Sequence, residues 1–82
     1  MEGSSQRMYT LQYKLIKERL FHEDIGAYTT YGILIFDAED KMQRSFISDV
    51  SVDKKCVKRI VQSCIEEKIP LESIRDAIEE ML

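Results

Sequence analysis

The sequence is poor in the residues that usually carry chemistry. Its single histidine, His22, and two cysteines, Cys56 and Cys64, are too few and too far apart for a zinc constellation. Its three glycines, Gly3, Gly26 and Gly32, never cluster, so there is no glycine-rich phosphate loop. The acidic run of Asp37, Glu39 and Asp40 lacks the spacing and the glycine of a calcium loop and reads as a solvated turn. No cofactor or metal is therefore expected. The longest apolar run, Ile33-Leu34-Ile35-Phe36, falls far below the roughly 20 residues of a membrane helix, so no membrane partner is expected. Basic charge is not in excess either. A net charge of −3 and a pI of about 5.1 give no bulk attraction to nucleic acid or anionic lipid. The polar start, Met1 to Gln6, has no apolar signal-peptide stretch, and a cytoplasmic location is expected.

What is present suits one small domain of 82 residues, with 44% hydrophobic and 33% charged residues. Residues 1–7 read as a disordered lead-in or a remnant of cloning, and residues 8–82 as a single α+β domain. Tyr9, Leu11, Tyr13 and Leu15 alternate with polar residues, which predicts a half-buried strand. The alternation degrades over Ile16–Leu20, where a helix also fits. His22 to Gly26 suits a turn. Tyr28 to Phe36, apolar on both faces from Ile33, predicts a central strand, with Gly32 marking a bulge or a close backbone approach. Met42 to Val50 reads as a weaker, edge strand. The four tyrosines, Tyr9, Tyr13, Tyr28 and Tyr31, suit core or cross-strand packing better than base stacking.

The last 31 residues read as two amphipathic helices. Val52, Cys56, Val57, Ile60, Val61, Cys64 and Ile65 recur at the 3.6 period behind a cap at Ser51 or Asp53. The two thiols would then lie about 12 Å apart along one helix, too far for a disulfide. Pro70 breaks that helix and opens a second, with a stripe of Leu71, Ile74, Ala77, Ile78 and Met81 or Leu82. The expected fold is a three-stranded antiparallel sheet followed by an antiparallel helical hairpin that covers one sheet face.

The first helix carries Lys54, Lys55, Lys58 and Arg59 at its start, against the helix dipole, with like charges at i,i+4. Asp76, Glu79 and Glu80 at the end of the second helix would pair with them in an antiparallel hairpin, leaving Arg75 nearer Glu66 and Glu67. The functional alternative is a basic patch for an acidic protein or phosphate, and these four are the candidate partner-binding residues.

Tyr31-Gly32-Ile33 in a strand, Ser48-Asp49-Val50-Ser51-Val52-Asp53 before a helix, and Pro70-Leu71-Glu72-Ser73-Ile74-Arg75-Asp76 opening the last helix form a pattern. Over roughly residues 30–82 it resembles a small domain family of unknown function from Gram-positive spore-forming bacteria. The resemblance implies a bacterial cytoplasmic setting and no particular activity. By elimination, the expected function is a non-enzymatic protein-interaction or regulatory module, with self-association as a variant. Its binding edge would be Met42 to Val50, tested by Ile47→Lys. Nucleic-acid binding through the basic face of the first helix is the alternative.

Overall fold

The structure, a computed structural model, describes residues 10–82, so the expectations for residues 1–7 and for Tyr9 lie outside the described residues. Three strands form one antiparallel sheet in the order β1-β2-β3: β1 Leu11–His22, β2 Gly26–Asp37 and β3 Gln43–Ser51. Two helices follow, α1 Lys54–Glu66 and α2 Leu71–Met81. This is the expected α+β fold, with β2 central and β3 at an edge.

No helix forms over Ile16–Leu20. Ile16, Glu18 and Leu20 lie opposite Gly32, Thr30 and Tyr28 of β2, and this pairing overrides a locally ambiguous pattern. A tight turn joins β1 to β2. The Ile25 N–H donates to the His22 carbonyl at 3.2 Å, and Gly26 takes φ 77°, the left-handed position that closes a three-residue hairpin loop. The next turn is tied by side chains. Asp37 is buried; its Oδ1 accepts from the Glu39 N–H at 2.8 Å, and Arg44 reaches Asp40 at 2.6 Å and Asp37 at 3.6 Å.

The strand period sorts the side chains. Leu11, Tyr13 and Leu15 of β1, Tyr31, Ile33 and Ile35 of β2, and Ile47 and Val50 of β3 lie on one face. That face packs under Val57, Ile60 and Cys64 of α1 and Ile74 and Ile78 of α2. Each fully buried aliphatic contributes about 1.5–3 kcal/mol. Two residues of the expected stripe are excluded. Val52 precedes the first turn and is 64% exposed, and Ile65 is 50% exposed. Leu82 is exposed too.

Asp53 caps α1, accepting from the Lys55 N–H at 3.0 Å. Its end is a Schellman turn. Ile69 N–H donates to Cys64 O and Lys68 N–H to Ile65 O, both at 3.2 Å, with Lys68 in the left-handed region at φ 52°. Pro70 then starts α2.

Candidate functional site

The helices cover one sheet face, which leaves the other face and the strand edges to the surroundings. On the face turned from the helices, Ile16, Leu20, Leu34, Phe36 and Phe46 are half-buried. A polar tie crosses its middle. Glu18 of β1 reaches over Gly32 of β2 and accepts from Ser48 Oγ and the Asp49 N–H of β3, each at 2.8 Å. Asp49 in turn accepts from Thr30 Oγ1 at 2.7 Å and Tyr28 Oη at 2.8 Å. This bond to Asp49 is the main cause that raises the Tyr28 pKa above its ordinary 10.0, since the phenol must keep its proton to donate.

The tie explains both unusual backbone features of the region. Between the pairs Tyr31·Ser51 and Ile33·Ile47, β3 bulges outward, and Asp49 sits at φ 52°, a conformation that aspartate tolerates. The bulge turns Ser48 and Asp49 to the open face and returns Val50 to the core. Gly32 leaves the room: a Cβ there would meet Ile47 O at 2.7 Å and Glu18 Oε2 at 2.9 Å. Of the two alternatives expected at Gly32, the close backbone approach is the one that occurs there, and the bulge lies opposite it on β3. The two carboxylates accept from neutral donors at either end of the bulge.

The two edges differ. β3 is interrupted twice, at the bulge and between Ile35·Ser45 and Phe36·Gln43, and Arg75 of α2 lies against its Phe46 carbonyl at 3.5 Å. Such interruptions hinder strand addition. β1 runs unbroken for 12 residues, and among the described residues no strand pairs with its outer side. Ile47, the residue expected to test a β3 edge, is 7% exposed and faces the helices, so Ile47→Lys would break the core rather than report on binding.

Lys54, Lys55, Lys58 and Arg59 are exposed at the start of α1. Among the described residues no ion pair joins them to Asp76, Glu79 or Glu80, so the expected charge-paired hairpin is corrected. Arg75 turns to β3 rather than to Glu66 or Glu67. Ser51 pairs with Tyr31, which pairs with Lys17, so α1 starts near the sheet row that carries Lys17, two rows from Arg19. Sequence reasoning missed this continuation because it depends on register.

A recess of about 460 Å³ opens where β1 begins, walled chiefly by Leu11, Tyr13, Cys64, Ile65, Ile69 and Leu71. Burial raises the Tyr13 phenol and the Cys64 thiol above their ordinary values of 10.0 and 9.0, and Glu67 adds to the latter. A raised thiol is a poor nucleophile. His22 Nδ1 accepts from the Asp24 N–H at 3.1 Å, within its own turn. Among the described residues no three His, Cys, Asp or Glu side chains gather in a metal-holding group, and no helix is long and apolar enough to cross a membrane. Of the residues that organise the open face, Glu18 and Thr30 were not singled out by the sequence, Tyr28 was read only as a packing residue, and Asp49 only as part of the pattern before the first helix. The only signals were Gly32 inside a strand and the polar Ser48-Asp49 step.

No curated protein and no solved structure matches the chain. A family model described as a family of unknown function, DUF6514, matches residues 1–82, well beyond the region where the sequence pattern had suggested a resemblance. The chain belongs to the DUF6514 family.

Proposed function

We propose that this protein is a non-enzymatic interaction module that binds an extended segment of another polypeptide along β1. The observation that carries this reading is the uninterrupted outer edge of β1, unpaired among the described residues, where the β3 edge is bulged and met by Arg75 at Phe46. A bare edge offers a row of main-chain donors and acceptors to an incoming strand, and the side-chain pockets beside it supply selectivity. A regulatory role in the cytoplasm of a Gram-positive, spore-forming host is the setting that the sequence pattern implies.

The test is capture from host lysate with the parent chain and with Lys17→Pro. Proline at an outward-facing edge position removes a donor to the partner and leaves the bonds to β2 in place. A stoichiometric protein that survives nuclease and moderate salt, and that is lost with Lys17→Pro, supports the reading. Equal capture by a folded Lys17→Pro chain overturns it.

A second reading, nucleic-acid binding through Lys54, Lys55, Lys58 and Arg59, is favoured by one observation: these cations lack ion pairs among the described residues and continue toward Lys17 and Arg19. Phosphate contacts predict an affinity that falls steeply with salt. The double variant Lys54→Glu, Lys58→Glu should abolish duplex binding measured by fluorescence anisotropy. Binding that ignores both salt and this variant excludes the basic face.

A further inference from the structure

Among the described residues, three features of the fold stand open to solvent: the outer β1 edge, the apolar recess beside its first residues, and Phe21, which is 75% exposed near its far end. We propose that they complete one another in a symmetric dimer. The β1 edges of two copies pair antiparallel about a two-fold axis at Ile16, and each Phe21 enters the other copy's recess. This rests on the reading of β1 as the docking edge, and names the occupant as a second copy of the chain.

The main chain sets the first condition. Thr10 and His22 turn their carbonyls inward, accepting from Ala38 N–H at 2.8 Å and from Ile25 N–H at 3.2 Å. Hydrogen-bonding direction alternates along a strand, so Leu11, Tyr13, Leu15, Lys17, Arg19 and Phe21 turn theirs outward. An added β1 strand must set these odd positions opposite odd positions. Centring on Ile16 does so: Leu11 meets Phe21 of the second copy, Tyr13 meets Arg19, and Leu15 meets Lys17. Six such pairs form about twelve main-chain hydrogen bonds and join the two sheets into one of six strands.

Side chains select this register among the permitted ones. On the face turned from the helices, Lys14 stands opposite Glu18 of the second copy, at the closer, non-bonded spacing of about 4.5 Å between Cα atoms. Glu18 accepts two bonds within its own chain and retains acceptor capacity for an ammonium. Moving the axis to Lys17 or to Glu18 sets each of those charges against its own copy, and moving it to Leu15 sets Lys14 against Ile16. On the helix side, Tyr13 lies beside the Arg19 guanidinium of the second copy, a favourable cation–π geometry.

The recess supplies the third condition. Leu11 and Tyr13 form its β1 wall, and both point to the helix side of the sheet. Phe21 has the same parity, since it pairs with Ala27 while Leu11 pairs with Asp37 in the same ladder. In the dimer, Phe21 of one copy therefore stands next to Leu11 of the other, beside the recess that Leu11 and Tyr13 wall. A ring that costs apolar exposure in the monomer becomes the anchor of the contact.

Analytical ultracentrifugation across micromolar to millimolar concentration should show a reversible monomer–dimer equilibrium. Lys14→Glu, which sets two carboxylates together, and Phe21→Ser, at a site already exposed, should each raise the dimer dissociation constant at least tenfold with an unchanged circular dichroism spectrum. Zero-length carbodiimide coupling should join Lys14 to Glu18 in a band of dimer mass. Within one chain these residues are about 13 Å apart along the strand, too far for that link. A chain that stays monomeric throughout overturns the proposal and leaves the docking edge to be decided by capture with Lys17→Pro. A dimer indifferent to Lys14→Glu and Phe21→Ser, or one that yields no Lys14–Glu18 link, overturns the register and the recess.

Discussion

Replacing Gly32 by alanine should destabilise the protein by about 2–4 kcal/mol, although alanine is the better strand residue by about 0.5–1 kcal/mol. The added methyl would lie 2.7 Å from the Ile47 carbonyl, a backbone atom held in the β2–β3 ladder, and 2.9 Å from Glu18 Oε2. Forcing the ladder apart is overpacking, at about 1–3 kcal/mol. Moving Glu18 aside loses its bonds to Ser48 and Asp49, each worth about 0.5–1.5 kcal/mol net. For a domain of this size that is a fall in Tm of at least about 10 °C, readable by thermal and urea denaturation. The two contributions separate in a double-mutant cycle with Glu18→Ala. If the carboxylate matters, Gly32→Ala costs less in the Glu18→Ala background than in the parent, and the residue of the effect belongs to the Ile47 carbonyl. A Gly32→Ala chain that melts at the parent temperature refutes the account of the tie.

Lys68→Gly should raise stability by about 0.5–1 kcal/mol, because glycine takes the φ of 52° at the Schellman turn without the Cβ penalty; the measurement is the urea midpoint. Asp53→Ala should lower stability by about 1 kcal/mol through loss of the bond from the Lys55 N–H, seen as a lower Tm with little change in the folded circular dichroism spectrum. Stability should also fall in alkali. Cys64 and Tyr13, chiefly through burial, and Tyr28, chiefly through donation to Asp49, all have pKa values raised above 9.0, 10.0 and 10.0 in the fold. Each holds its proton more tightly folded than unfolded, so its contribution is complete below the unfolded value and is lost as pH rises through the folded one. Melting temperature should hold through neutral pH and decline from about pH 9 upward, with a shallower decline for Tyr28→Phe.

The elements that local pattern controls were legible in the sequence. The 3.6 period of Val57, Ile60 and Cys64 and of Ile74 and Ile78 placed both helices, and the two-sided apolar run at Ile33–Phe36 placed the central strand. Val52 and Ile65 match the same period and are exposed, since the period cannot say where the cap falls or how wide the buried stripe is. Ile16–Leu20 was ambiguous because its partners, Gly32 back to Tyr28, lie on another strand, 8 to 16 residues away in the chain. The candidate surface was harder still. Charges on α1 and α2 suggested a pairing that the helices do not make, and the polarity of β3 suggested a docking edge. Whether an edge is open depends on bulges and on which helix residue lies beside it, here Arg75 at Phe46, and neither is written in the local pattern.

Glu18 has a consequence for how the molecule opens. β1 and β3 are never neighbours in the sheet, yet one side chain clasps both across the middle strand. A three-stranded meander built from two consecutive hairpins would ordinarily lose an outer strand independently, as a zip undone from either side. With the clasp in place, peeling off β3 also strips β1 of a partner, and peeling off β1 removes what holds the bulge of β3. The clasp therefore couples the local opening of the two hairpins.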